Sequence, residues 1–277
     1  MVTAILGFAI LCVMMALPRG RETSRMARCQ DNLRVIGVGL SMYHQSRGHY
    51  PHVTLPGGDG PLKTMLDAFV IPDFLDLRDP TKPPRPTQAA PRGTRVPGLA
   101  CPSDLNATAT PATPTVSYRA CTGDDPGGHG GAFEPGRLMT SAEIEAADGL
   151  GFTAAFAERL VGDGRDGRGK SANYVNCPGP VDSAGCPSLS PDRWRGDSGA
   201  DWAESSWRST LYSHILTPNA GPSCIAEDRR TALMGASSAH PGRINVLLMD
   251  GSLRGVSPTI APQVWWALGT VGDASKR

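Results

Sequence analysis

Charge is scarce and evenly balanced in this 277-residue chain: charged residues make up 19%, aromatics 6%, and the net charge is +1. So even a balance gives no global attraction to nucleic acid, and none is expected as a partner. Among the seven cysteines no C-x2-C pair occurs, which removes a zinc ribbon and a thioredoxin-type redox site. The absence of an internal repeat argues against a solenoid or a propeller. Charged side chains are missing altogether from Met1–Leu17. What the chain does have is glycine and proline, 33 and 25 of them. That balance favours many short strands and turns around one ordinary core or two small ones.

Two sequence motifs suggest chemistry and fail on context. Gly164 to Ser171 satisfies the P-loop pattern G-x4-G-K-[ST], but Pro178 follows too soon for the helix that such a loop needs. Asp163 and Asp166 would also oppose a phosphate, so no nucleotide is expected. Gly196-Asp197-Ser198-Gly199 looks like a trypsin-type nucleophile loop, yet no matching histidine segment precedes it. No catalytic residue and no cofactor-binding residue is assigned, and the chain is read as a non-enzyme.

Seventeen helical residues span about 25 Å, a little less than the ~30 Å core of a bilayer. Met1–Leu17 reads as a signal peptide, a buried core helix, or a membrane-spanning helix that continues into the soluble part. Lack of a basic n-region disfavours the first, and Arg19, Arg21, Arg25 and Arg28 fit interface anchors better than a core. The third reading is adopted. Cys29, Leu33, Ile36, Leu40 and Tyr43 then recur at spacings of four and three, one face of an amphipathic helix over 19–50. Gly37 and Gly39 on this helix suggest close packing against a neighbour, and Gly48 with Pro51 should end it.

Beyond residue 50 an exported β-rich domain is expected over 51–277. Leu62–Phe69 reads as a short helix, 79–98 as a proline-rich surface loop, and Val116–Ala120 and Phe152–Leu160 as strands. Asp182–Ser206 reads as a polar loop region. Trp194, Trp202 and Trp207 either plug the small core or line a ligand groove. Gln263–Leu268 should be a helix whose Trp265 and Trp266 cap the sheet. Cys101 with Cys121 and Cys177 with Cys186 are candidate disulfides in an oxidising compartment, or else isolated buried thiols. Cys29 and Cys224 either pair or stay free, and Cys12 would not be bridged.

Near the C-terminus, alternating Ile244, Val246 and Leu248, then Asp250-Gly251, then Ser252 to Val256 predict a hairpin over 243–257 with a two-residue turn. His240 and Asp250 then lie about 30 Å apart at ~3.4 Å per residue, too far for one site. His240 anchors the approach to the hairpin, and Asp250 and Gly251 close it.

These features together resemble a family known as domain of unknown function 1559. The likeness rests on Arg21, Glu22, Arg25, Cys29, Asn32, Leu33, Ile36, Gly37, Tyr43 and His44, followed by Pro51. It continues in Cys101-Pro102-Ser103-Asp104, in Gly151-Phe152-Thr153 to Glu158-Arg159, and in His240 with Asp250-Gly251, the H-x9-DG motif. The resemblance implies an α+β, pilin-like fold: a long N-terminal helix packed on an antiparallel sheet with long loop insertions. It implies a membrane-anchored, exported protein of pilin or pseudopilin type, with lateral packing through Gly37, Gly39, Leu33, Ile36 and Leu40. A type II secretion or type IV pilus-like assembly would supply its partners. An anchored binding module for glycan or peptide is the alternative, then a hydrolase. Some pseudopilins bind calcium, which would place a calcium ligand at Asp250. The family's Gly-Phe-Thr-Leu-Ile-Glu leader is not found, since Gly7-Phe8 runs on into Ala9-Ile10. Basic residues on the C-terminal flank alone would keep the body in the cytoplasm. Export is nevertheless expected, because a basic leader ahead of Met1 would reverse that charge count.

Overall fold

A computed structural model describes residues 2–68, 92–109, 113–169, 171–188 and 190–272, with side chains from Gly20 onward. The fold is α+β. One helix, α1 (Val2–Arg47), runs without interruption for 46 residues, about 69 Å at ~1.5 Å per residue. It stops where Gly48 turns left-handed at φ 75° and its N–H caps the His44 carbonyl. The stripe Cys29, Leu33, Ile36, Leu40 and Tyr43 is buried along its length, while Arg21, Arg25, Arg28 and Arg34 face out. Position 69 and most of the proline-rich stretch, through residue 91, lie outside the described residues, as do the side chains of 1–19, Cys12 among them.

The helix lies on a five-stranded sheet. Its strands are β1 (Tyr118–Cys121), β2 (Ala154–Glu158), β5 (Leu211–Tyr212), β8 (Ile244–Leu248) and β9 (Leu253–Val256), in the order β5-β1-β2-β8-β9. The sheet is mixed rather than purely antiparallel, because β1 and β5 pair in parallel. β2 is rich in alanine, yet it is a strand with every residue buried, because β1 and β8 pair with it on both edges. A second mixed sheet orders as β4-β3-β6-β7: β4 (Trp194–Arg195), β3 (Tyr174–Cys177), β6 (Ser223–Ala226) and β7 (Ala232–Leu233). β3 and β6 are parallel, and this sheet has its own small core of Val175, Cys177, Val181, Cys224, Ala226 and Leu233. The region 182–206 is therefore not simply a polar loop, since it supplies an edge strand to this sheet. The P-loop-like run leads into strand β3, not into a helix.

Arg159, just after β2, links the two sheets by donating to the carbonyls of Gly235 and Ala172. Trp202 and Trp207 are core residues whose indole N–H groups donate to the carbonyls of Thr94 and Arg230, while Trp194 is half-buried. Among the described residues, four further α-helices pack around the sheets: α2 (Pro61–Ala68), α3 (Leu105–Ala109), α4 (Ser141–Ala147) and α5 (Pro262–Gly269). In α5, Trp265 is buried and stacks on His214 at 3.6 Å between ring centroids, whereas Trp266 stays partly exposed.

The turn between β8 and β9 differs from the expected one. Partners sum to 500, as in Val246 with Arg254, so Met249, Asp250 and Gly251 form a three-residue loop. Only Gly251 has a positive φ, 84°, and Leu248 accepts its N–H. Asp250 keeps an ordinary φ because one left-handed residue suffices in a three-residue loop.

α1 crosses this hairpin at Gly37, where an added Cβ would come within 3.1 Å of Leu247 Cδ1 and 3.6 Å of Gly251 Cα. Gly39 is also buried. The Leu33, Ile36 and Leu40 face is therefore used within the chain and is not free for lateral packing between subunits. Gly37→Leu should lower stability by about 1–3 kcal/mol through overpacking. Gly37→Ala should change it by less than about 1 kcal/mol, since helix propensity offsets a small shift of Leu247. Urea unfolding of the full chain in mild detergent measures both; equal effects would rule out this close contact.

Candidate functional site: a histidine between two carboxylates

The base of α1, the end of β2 and the approach to β8 converge on His240. Its ring is buried, with Nδ1 2.6 Å from Glu22 Oε1 and Nε2 3.2 Å from Glu158 Oε1. Glu22 belongs to the first exposed turns of α1, and both of its oxygens accept from Ser103 Oγ at 3.0 Å. Glu158 ends β2; it accepts the Asn245 N–H and Asn245 Nδ2, each at 2.8 Å. Gln30 on α1 donates to Asn245 Oδ1, so the helix contacts both shells of the cluster.

A disulfide closes one side. Cys29 of α1 is bonded to Cys101, whose sulfur lies 3.6 Å from His240 Nε2. Linking residues 72 apart in sequence stabilises the fold by about 4 kcal/mol in the chain-entropy picture. The expected pairing of Cys101 with Cys121 is thus replaced: Cys121 is a free buried thiol, pushed up to about 12 by burial. Cys177 is likewise free, because Cys186 pairs with Cys224 across to β6. Neither expected pair forms, since tertiary packing brings Cys29 to Cys101 across 72 residues and Cys186 to Cys224 across 38.

The Cys101-Pro102-Ser103-Asp104 segment folds as one unit. Pro102 lies in the turn that ends with the Asp104 N–H donating to the Cys101 carbonyl. Asp104 is buried, and its carboxylate accepts from Val161 N at 2.8 Å, Ser117 Oγ at 3.0 Å and Ala107 N at 3.3 Å. Burial holds its pKa above the usual carboxylate value against those hydrogen bonds. Asn32, one turn on from Cys29, donates to Tyr118 OH and to the Ala100 carbonyl.

Asp250 sits at the opposite end of β8 from His240 and is exposed. Its Oδ1 accepts the Ser252 N–H at 2.8 Å in a local turn. Among the described residues, the one group of three or more His, Cys, Asp or Glu ligands gathered closely enough for a metal is Cys29, Cys101, Glu158 and His240, and Asp250 is not in it. Ser198 of the trypsin-like segment is buried and accepts from Arg119 Nη2. Sequence reasoning placed Glu22 and Glu158 within motif words but not in a site with His240. Their shared membership of those words was the available signal.

Burial opposes charging of the His240 ring, but the hydrogen bonds and charges of Glu158 and then Glu22 outweigh it. Together they hold its pKa above the ordinary 6.5. A histidine pKa raised by folding contributes stability that is complete below 6.5 and is lost as pH climbs through the folded value. Stability of the disulfide-bonded chain should therefore fall as pH rises above about 6.5, and Glu22→Gln should shrink that fall. Urea midpoints across pH 5.5–9 (about this range, where histidine titrates) provide the check. A midpoint that rises over this window, or a Glu22→Gln curve identical to the parent, would contradict this account.

No curated protein and no solved structure matches the chain. One family model does, over residues 18–263, from the base of α1 through β9 into α5; its description reads protein of unknown function (DUF1559). Glu22, Cys29, Cys101, Glu158 and His240 all fall within that span, and the chain belongs to this family.

Proposed function

We propose that the chain is a membrane-anchored, exported envelope protein of pilin or pseudopilin type, with a structural rather than catalytic role. One observation carries the reading. Twenty helical residues of α1, from Val2 to Arg21, precede Glu22, whose side chain meets His240 in the body. Twenty residues rise about 30 Å, the thickness of a bilayer core. Met1–Leu17 carries no charge, and exposed Arg21, Arg25 and Arg28 then suit a headgroup layer. Two disulfides favour a body outside the reducing cytoplasm. Among the described residues, no helix is long and apolar enough to cross a membrane.

Lateral contacts in this reading use the outer side of α1. Val38 and Met42, 56% and 41% exposed, stand one helical turn apart there. Other copies of the chain, or other pilin-like subunits of a secretion or pilus-like assembly, would pack on that side. Catalysis is disfavoured because His240 and its carboxylates line none of the three described clefts.

An anchored binding module is the second reading. It is favoured by a cleft of about 760 Å³ beside Trp194, lined also by Arg168, Val175, Pro187 and Asn219. An aromatic ring beside an amide and a guanidinium suits a sugar or a peptide.

Membrane fractionation and crosslinking separate these readings. The full chain should stay in a carbonate-washed membrane pellet, and removal of residues 2–17 should release it. Val38→Cys or Met42→Cys, treated with a short bifunctional thiol reagent in cells, should each give a crosslinked dimer, and the chain carrying both should give a ladder of multimers. A full chain that washes off the membrane refutes the anchor. An anchored chain that yields only monomer at both positions refutes assembly and favours the binding module.

A further inference from the structure

The cluster around His240 is also arranged as a metal site. We propose that Cys29, Cys101, His240 and Glu158 form a tetrahedral Zn²⁺ site when the cysteines are reduced. Metal and disulfide are then alternative ties between α1 and the body. The inference is independent of the envelope role proposed above.

Geometry supports the ligand set. One ligand atom from each of the four residues lies within 4.8 Å of all the others. A tetrahedral ion with Zn–S of ~2.3 Å, Zn–N of ~2.05 Å and Zn–O of ~2.1 Å has S···N edges of about 3.6 Å and N···O edges of about 3.4 Å. The chain places Cys101 Sγ 3.6 Å and Glu158 Oε1 3.2 Å from His240 Nε2. Two edges of the tetrahedron are thus already set, and the two sulfurs, now bonded to each other, must part to about 3.8 Å. Thiolates, imidazole and one carboxylate are a zinc set rather than a calcium set.

The surroundings match those of metal-bound histidines. His240 Nε2 faces the ligand cluster while Nδ1 faces Glu22, the carboxylate–histidine arrangement that fixes a ligand's tautomer. Ser103 holds Glu22, and Asn245 holds Glu158 by two bonds. All four ligand residues are buried, which keeps competing water away.

The chemistry balances with a dithiol or a phosphine as the reductant. The Cys29–Cys101 bond accepts two electrons and two protons, giving two thiols, while a dithiol closes to its own disulfide or a phosphine becomes its oxide with oxygen from water. Zn²⁺ then displaces both thiol protons and any proton on His240 Nε2, while the proton on Nδ1 stays there and is donated to Glu22.

The test uses the full chain in mild detergent, reduced anaerobically with a water-soluble phosphine and titrated with Co²⁺, then Zn²⁺. One equivalent of Co²⁺ should give intense tetrahedral and thiolate charge-transfer bands, and Zn²⁺ should bleach them. The oxidised chain should give none. Cys29→Ser combined with Cys101→Ser should lose that equivalent, and Glu22→Gln should weaken it 10–100-fold. Equal uptake by the reduced parent and the double variant would place the metal on the other cysteines and overturn the proposal. If the double variant does not fold, His240→Gln decides. It is made with the disulfide intact, checked for native circular dichroism and then reduced; undiminished Co²⁺ affinity would refute the site.

Discussion

The histidine held between Glu22 and Glu158 is the interaction on which the placement of α1 depends. It joins residues 218 positions apart, and it favours a charged ring where burial alone would oppose one. Two carboxylates around one imidazole are tolerable only because every oxygen at its inner face has a donor: His240, Ser103 and Asn245. Removing the ring would leave opposed negative charges in a partly dry site, a far larger penalty than loss of a surface pair. The Cys29 bond and the Gln30 contact fall within the next two turns of the same helix, so charge, covalent link and hydrogen bond all constrain one short stretch of it.

Above that stretch, helix and hairpin are held by shape. Leu33, Ile36 and Leu40 pack on the sheet, and Gly37 admits Leu247 where a large side chain would intrude. Charge therefore fixes the azimuth of α1 at its base, and packing density fixes its separation from the sheet further up. Neither alone determines both.

Local signals were legible in the sequence and remote pairings were not. The helical stripe, its stop at Gly48, the short helix near Leu62 and the C-terminal hairpin all depend on spacings within one element. The second sheet escaped notice because β4 and β7 are two residues long and carry no alternating pattern. The hairpin loop was misjudged by one residue, since Asp-Gly serves a two-residue and a three-residue turn alike. The disulfides join Cys29 of α1 to Cys101 and Cys186 to Cys224 of β6, pairings set by tertiary packing that no spacing reveals. His240 was read correctly as distant from Asp250. Its actual partners are on elements whose approach only the assembled sheet creates.

The seat of Leu247 against Gly37 has a mechanical consequence. Advancing α1 by one residue turns it about 100°, which would offer Ile36 or Val38 to the same spot and jam the crossing. The notch works as a detent: the hairpin cannot creep along the shaft, and any push or twist on α1 carries β8 and β9 with it as a single rigid piece.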